Sequence, residues 1–510
     1  MTAPSPHSIL GVSQAPPNQD LNPAGRLPVL GLVADYVRIY WLRFVLVSAA
    51  VLVPCFWHRR IMAGDLGSHL YNAWLAQLIA RGQAPGLTVV TNWTNIVFDF
   101  MLSGLGQIVG LAAAEKIAVS VSVLIFFWGA FALMCAAARR VPWFVAPLLA
   151  IVSYGWTFEM GFFNYYISLG LSFFALALFW RGNRFERLLA FAPAPLIVIA
   201  HPVALVWLVG AAIYIVAAES LPDHWQFVIF LLAAAGIVFL HYYVDSHFIV
   251  DAEEDPLYLF TGADQFLLFG ARYKIVQFAV LIFAPVAVFA DIIKRCSIRD
   301  AWAAYSIPLQ LFVLMELGVL LLPDGIRFTG ISAALALITE RLTSISAVLF
   351  CCILGLVTPR KWHAIAVFAV VATFFTFLYR DTARLNHMEA QVEGLVRTLP
   401  PNQRVLGTIK PPEGSRVLIQ HMLDRACIGH CFSYGNYEPT TEMFRVRALR
   451  PNAYNMTEGN AAAAMEDGDY DVAARDLPAY QVYQCGQQGT ALCIRPLAEG
   501  EENDELGIHP

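Results

Sequence analysis

The sequence predicts a mainly α, polytopic transmembrane helix bundle of about 11 spans with a small C-terminal α/β or α+β domain. Three observations carry this. Hydrophobic residues make up 58% of the 510-residue chain and charged residues only 14%, against about a quarter charged in soluble proteins. Apolar runs follow one another between residues 41 and 379, and mean hydropathy is +0.59. Charge, Pro and Gly return from Arg380 onward, so a membrane domain over 40–380 is expected to give way to a soluble one over 381–510. Net charge is −5 with no basic run, and nothing points to a nucleic-acid partner.

Residues 1–39 are rich in Pro, Asn and Ser and lack periodicity. They read as a disordered cytoplasmic tail. The first apolar run begins too late for a cleaved signal peptide and reads as a signal-anchor. The expected spans are 41–57, 117–138, 142–155, 162–180, 188–200, 203–218, 226–244, 275–291, 302–322, 342–357 and 363–379. Several are shorter than the ~20 residues that a perpendicular helix needs. Lys and Arg near span ends favour the cytoplasm. With the N-terminus inside, inner connections hold Arg139 and Arg140, then Arg181, Arg184 and Arg187, then Lys294, Arg295 and Arg299, then Arg360 and Lys361. The acidic stretch "HYYVDSHFIVDAEEDPLY" falls outside, while Arg59 and Arg60 fall on the wrong side. The pattern holds if 58–116 is one long outside loop. Its two helices, near 67–81 and 95–113, would lie on or dip into the membrane. An odd number of spans places the C-terminal domain outside as well.

With this topology several polar residues meet one side of the membrane, where charge at depth implies a watered cavity. Asp65 follows the first span; it is read either as the cap of the helix "SHLYNAWLAQLI" or as a base, two compatible roles. His69 stands at i+4 and shares its face, as ligand-binding or structural histidine. Glu159, in "YGWTFEMGFFNYY", is a second catalytic candidate or the partner of a basic group. Asp99 would face the cavity from the second loop helix. His201, before Pro202, starts a helix or binds substrate. Arg327 and Arg341, in "PDGIRFTGISAALALITERLTS", suit a lipid phosphate, and Arg341 could equally snorkel. The chain lacks a Walker loop, a dinucleotide fingerprint, a zincin pair and a nucleophile elbow. It shows no repeated channel filter either.

A signal-anchor, a long outside loop opening on an acidic residue in "GDLGSHLYNAWLAQLIARGQ", many spans and an outside C-terminal domain together resemble the GT-C superfamily of integral-membrane glycosyltransferases. The segments "GFFNYYISLGLSFFALALFWR" and "HPVALVW" also look like bacterial GT-C-like membrane proteins. The resemblance covers roughly 40–380 and is architectural. It implies a polyprenyl-phosphate sugar donor and a glycan, lipid or protein acceptor at a bacterial inner membrane, with Asp65 in the place of the first-loop catalytic acid. A divalent metal is the cofactor to consider; the first loop has no paired Asp-x-Asp or Glu-x-Asp to hold it. A non-enzymatic lipid-linked glycan transporter or assembly factor on the same scaffold is the alternative.

In the outside domain, "DTARLNHMEAQVEGLVRTLP" reads as helix, "QRVLGTIK" and "SRVLIQHM" as strands about a "PPEG" turn, and "AYQVYQCGQQGTALCIRP" as a hairpin. Cys427, Cys431, Cys485 and Cys493 lie here, an even number that suits disulfides in an oxidising compartment. The hairpin could place Cys485 against Cys493, and Cys427 with Cys431 would close a small loop. Metal binding by these cysteines with His421 and His430 is the alternative. Cys55, Cys135, Cys296, Cys351 and Cys352 lie in or beside spans and read as packing residues. "CFSYGNYEPTTEMFRVRA" would contact a glycan or form a loop above the cavity.

Overall fold

The computed structural model describes residues 29–253, 256–295, 297–328, 334–441, 443–485 and 491–503. The expected tail over 1–28, Cys296 and the Gly-Gln-Gln-Gly turn lie outside these. The rest of that tail is not irregular: Val29–Ile39 is helical, buries Tyr36, and turns by 82° into Trp41–Phe56. The chain is mainly helical. Among the described residues eight helices are long and apolar enough to cross a membrane, or nine if the bent pair counts as one span.

That is fewer than the expected eleven, for a local reason. The run 142–155 contains only Ala146–Ser153, and the run 188–200 only Ala194–Ala200 as an apolar helix. At 1.5 Å per residue neither reaches half of a ~30 Å hydrocarbon core. Pro142 precedes the first, and Pro193 and Pro202 flank the second, while Pro147 and Pro195 sit in their first turns; proline lacks a backbone donor and cannot continue a helix running into it.

Two compact units emerge, and the boundary is not a single cut near residue 380. The first comprises residues up to Val53, Val121–Thr157 and Phe163–Phe377. Its helices meet through small residues: a Cβ on Gly129 would lie 2.1 Å from the Gly170 carbonyl oxygen, the close backbone approach typical of membrane bundles. Helix Asp223–His247 leaves Leu232 and Phe239 open to the surroundings. One stretch, Pro256–Phe266, is interrupted by positive φ at Thr261 and Gly262. Two of its polar groups find partners within the unit. The Thr261 N–H donates to Glu316 Oε2 at 2.7 Å, and Thr343 Oγ1 donates to Asp264 Oδ2 at 2.8 Å. Non-helical backbone survives among membrane helices only when satisfied in this way.

The second unit comprises Pro54–Ser120, Phe158–Phe162 and Leu378–Pro510. The first loop contributes α1 (Leu66–Ala80), β1 (Leu87–Val89), α2 (Val97–Val109) and the start of α3 (Leu111–Ala138). Helix α4 (Lys361–Val396) brings in its polar half, followed by β2 (Arg404–Thr408), α5 (Met422–Cys427), β3 (Phe432–Ser433), β4 (Val446–Ala448), α6 (Gly459–Asp467), β5 (Ala479–Cys485) and β6 (Ala491–Pro496). Four strands form a sheet in the order β3-β2-β5-β6, parallel except for the β5–β6 hairpin. Leu406, Met465, Val472 and Leu497 are among its core side chains. The stretch "SRVLIQHM" is not a strand. Ser415 Oγ accepts from the Val417 N–H, a local turn that competes with a ladder, and the chain passes straight into α5. The disulfides Cys427–Cys431 and Cys485–Cys493 are formed, with Cα separations of 4.6 and 5.9 Å.

The first loop is part of the fold of this unit. Leu87 to Val89 pair antiparallel with Ala448 to Val446. Helix α1 is buried along most of its length, from Leu66 to Leu75, so it is a core helix and not one lying on a membrane. Arg425 ties these parts together. Its guanidinium donates to Glu389 through Nε (2.7 Å) and Nη2 (2.5 Å), and through Nη1 to Glu115 (2.9 Å) and the Ile61 carbonyl (3.0 Å). Arg60 joins by pairing with Glu389 at 3.2 Å and with Glu393. Glu389 and Glu115 are buried. Removing one partner of a buried ion pair leaves an uncompensated charge and costs about 3–5 kcal/mol. Arg425→Met should therefore lower unfolding stability of the purified protein by about that amount, read by denaturant titration. A loss no larger than that of an exposed Arg→Met control would remove this network from its place in the fold.

Candidate active site

The site is built where three backbone stretches of the second unit meet without side chains between them. Asp65 N–H donates to the Met160 carbonyl at 2.9 Å, and Gly64 N–H to that of Glu159 at 2.6 Å. Gly161 has φ +85°, and a Cβ there would stand 2.7 Å from the Asp65 nitrogen. A Cβ on Gly67 would stand 2.1 Å from the His421 carbonyl oxygen. Glycines in "GDLG" and "EMG" thus let α1, the 158–162 turn and the start of α5 come together.

Asp65 occupies the residue before α1 but does not cap it with its side chain. Its Oδ1 lies 3.7 Å from His421 Nε2. The other ring nitrogen of His421 stands 3.0 Å from Asp424 Oδ2, and Glu466 Oε1 is 4.0 Å away. The Tyr437 ring lies beside the imidazole, centroids 5.3 Å apart. A second pair adjoins on α1 and α2, with His69 Nδ1 2.9 Å from Asp99 Oδ1. Ser68 Oγ donates to Glu438 at 2.9 Å, and Asn436 Nδ2 donates to Asn72 at 3.1 Å. His421 and Asp424 are sealed, whereas the side chains of Asp65, Glu466 and Asp99 keep 21%, 18% and 17% of their surface. Those three carboxylates are the ones a ligand can touch.

Electrostatics divide the cluster into cations and acids. Burial lowers the His421 pKa, but the Asp424 hydrogen bond and the charges of Glu466, Asp424 and Asp65 outweigh it and raise it to about 10. Burial opposes His69 in the same way, and Asp99, then Glu438 and Asp65, raise it to about 9. Both rings are imidazolium at neutral pH. Burial pushes Glu438 and Glu466 up to about 7, against the pull of His69 and His421 respectively. Glu159 is buried, and burial followed by the charge of Asp381 holds its carboxyl well above the usual range. Backbone contact through the Gly64 N–H places it next to Asp65.

The sequence-derived residues divide between the units. Asp65, His69, Asp99 and Glu159 fall in the second. In the first, His201 sits at the break between Ala194–Ala200 and Pro202–Ser220, makes no side-chain cap, and packs edge-on against Tyr165. The Tyr165 hydroxyl donates to the Arg341 carbonyl at 2.8 Å. Arg327 pairs at the surface with Asp251 at 3.0 Å, both largely exposed. Among the described residues, Glu253, Asp324 and Glu340 can bring carboxylate oxygens within 4.8 Å of one another. The Cys–His metal alternative fails: Cys427 and Cys431 are bonded to each other, and His430 Nε2 faces the Val396 and Leu399 carbonyls at 3.0 and 3.1 Å.

Sequence reading named His421 only as a metal-ligand alternative, held Tyr437 and Glu438 only within the segment "CFSYGNYEPTTEMFRVRA", and missed Asp424 and Glu466. The only local signal was the His421-x-x-Asp424 spacing at a helix start, which is short and common. Compared with protein-family models, curated proteins and solved structures, the chain matches none.

A pH dependence follows. His421 is raised from 6.5 to about 10, so its stabilising contribution is complete below pH 6.5 and lost as pH rises towards 10. Raised carboxyls at Glu438 and Glu466 disfavour folding as pH rises from 4.5 to about 7, the same direction. The melting temperature should fall from neutral to alkaline pH. His421→Gln should lower it at pH 7 and flatten the alkaline limb. Parallel profiles for the two proteins would remove the imidazolium assignment.

Proposed function

We propose that this chain is a membrane glycosyltransferase that moves a sugar from a polyprenyl-phosphate donor to an acceptor outside the cytoplasm, with Asp65 as general base. The observation that carries the reading is the state of Asp65. Its carboxylate is not spent on capping, reaches the surface, and is backed by a buried imidazolium that is itself oriented by Asp424. A base must be ionised, accessible and fixed in direction. Asp65 takes the proton of an acceptor hydroxyl as that oxygen attacks the anomeric carbon. The bond from that carbon to the phosphate oxygen breaks, and the polyprenyl phosphate leaves with the electron pair. His421 holds Asp65 in place and offsets its charge. Glu466 and Asp99, the other accessible carboxylates, accept hydrogen bonds from sugar hydroxyls. No step passes through a metal.

The proposed setting is a bacterial inner membrane with the N-terminus in the cytoplasm and the second unit outside. Two disulfides in that unit support an oxidising compartment. Arg59 and Arg60, which oppose this orientation by charge alone, pair with Glu393 and Glu389. The alternative, a lipid-linked glycan transporter or assembly factor, is favoured by the interrupted stretch Pro256–Phe266, since broken membrane segments are used to bind cargo and ions.

Two outcomes test the reading. Asp65→Asn should lower sugar transfer from labelled polyprenyl-phosphate donors by ~100- to 10,000-fold and leave the melting temperature almost unchanged, since no side-chain cap is lost. A fully active variant would favour the transporter or assembly factor. For topology, a cysteine at exposed Glu413 should react with a membrane-impermeant maleimide in intact spheroplasts. Protection there, with reaction after lysis, would invert the orientation.

A further inference from the structure

The interrupted stretch Pro256–Phe266 packs, within the first unit, against two membrane helices, Ile298–Leu321 and Ile338–Gly355. Thr261 and Gly262 have φ of +76° and +68°. Close packing requires the glycine, since a Cβ there would stand 2.4 Å from the Ala347 nitrogen. A β-branched residue such as Thr261 is strained in that region of backbone space. The strained turn brings the Thr261 N–H to Glu316 Oε2 at 2.7 Å. Glu316 belongs to helix Ile298–Leu321 and is 3% exposed. Ser346, on helix Ile338–Gly355, is fully buried, and its hydroxyl lies beside the same carboxylate.

Oxygen is left over at this spot. Glu316 Oε1, Ser346 Oγ and Thr261 Oγ1 are buried and complete no hydrogen bond among the described residues. No Lys, Arg or His among those residues pairs with Glu316. A carboxylate held among membrane helices is costly unless its charge is met. Carboxylate and hydroxyl oxygens are the ligands a hard cation prefers, and a single carboxylate balances a single positive charge. A divalent ion would leave excess charge in a medium of low dielectric. The approach to the spot is acidic as well. Glu340, Thr343 and Ser346 recur every third residue along one helix and share a strip of its surface. Thr343 donates to Asp264, and Glu340 brings a carboxylate oxygen within 4.8 Å of those of Asp324 and Glu253, which are half-buried.

We propose that Glu316, Ser346 and Thr261 bind a dehydrated alkali cation inside the helix bundle. The ion meets the charge of Glu316, takes up the spare lone pairs of both hydroxyls, and pins the interrupted stretch to the two helices beside it. The proposal asks for binding only, so it stands whether the chain transfers a sugar or carries a lipid-linked glycan.

The test uses the purified full-length protein in nanodiscs with Na+ as the probe. Bound radioactive Na+ is counted in N-methylglucamine chloride, and the melting temperature is followed as NaCl replaces that salt at constant ionic strength. The unmodified chain should hold about one ion, released by unlabelled Na+, and should melt higher with NaCl in a saturating manner, as a ligand of the native state requires. Glu316→Gln should abolish both signals. Ser346→Ala and Thr261→Val keep the carboxylate and should each raise the half-saturating NaCl concentration severalfold, a readout that remains if Glu316→Gln does not fold. Absence of bound Na+ in the unmodified chain would overturn the site, and so would affinities unchanged in both hydroxyl variants. Release by Ca2+ at concentrations far below those of Na+ would overturn the monovalent assignment and move the ion to Glu253, Asp324 and Glu340. A melting temperature indifferent to NaCl but raised by acid would make Glu316 a protonated acid, and the cation would fall with it. No transfer assay enters, so failure of the glycosyltransferase reading leaves this result intact.

Discussion

Arg425 is the group on which the second unit depends. A guanidinium offers five donors in a rigid fork, and here four bonds reach residues from three separate stretches of chain: Ile61 in the first loop, Glu115 at the head of α3, and Glu389 on α4. Each of these is buried or nearly so, and a charge in that setting is tolerable only when paired. The arginine therefore does not simply add stability. It specifies which backbone stretches may lie together, because any other arrangement would bury carboxylates without a cation. Arg60 extends the same logic along α4, where Asn386 takes up its backbone N–H and carbonyl and Glu389 and Glu393 its side chain.

The acid–imidazole cluster is a consequence of that assembly. α1 comes against the start of α5 where Gly67 has no side chain, and α5 is held by Arg425 one turn past His421. The two imidazoles then face more carboxyl groups than they can neutralise. Physical chemistry leaves the surplus two ways to relax: protonation, which burial favours at Glu438 and Glu466, or exposure, as at Asp65, Glu466 and Asp99. The carboxyls of the cluster are thereby sorted into sealed ones, Asp424 and Glu438, and accessible ones, Asp65, Glu466 and Asp99. That division is what acid–base chemistry on a hydroxylated substrate needs.

Hydropathy made the long helices legible, because eight of them carry apolar sequence well past the length of a core helix. It failed at Ala146–Ser153 and Ala194–Ala200, where composition is apolar but prolines cut the helix. Asp65, His69 and Asp99 could be singled out because they are polar residues beside apolar runs. Their partners could not. His421, Asp424, Glu438 and Glu466 lie in a polar region where carboxylates are ordinary, and only the folding of the first loop onto that region makes them unusual. Sequence separation of more than three hundred residues between Asp65 and His421 carries no local trace.

Arg59 and Arg60 show how the two kinds of reading correct each other. By the count of basic residues they argue against an outside first loop. The positive-inside rule is statistical, and describes residues whose charge has no better use than interacting with the membrane surface and its potential. Arg60 is largely buried and bonded to α4, and its charge is offset by Glu389 and Glu393. A basic residue neutralised inside a folded unit exerts little pull on orientation, and it should be removed from the count before the rule is applied. With Arg60 set aside, exposed Arg59 still counts against an outside loop, while Arg139 with Arg140, Arg181 with Arg184 and Arg187, Lys294 with Arg295 and Arg299, and Arg360 with Lys361 count for it; among these Arg295 pairs with Asp291 at 2.8 Å. By the same reasoning Arg295 weighs less than its neighbours, as do Arg181 and Arg187, which lie 3.5 and 3.6 Å from Glu219, whereas Arg140 keeps its weight, its guanidinium being bonded to the carbonyls of Gly355 and Val357 with no carboxylate among those partners.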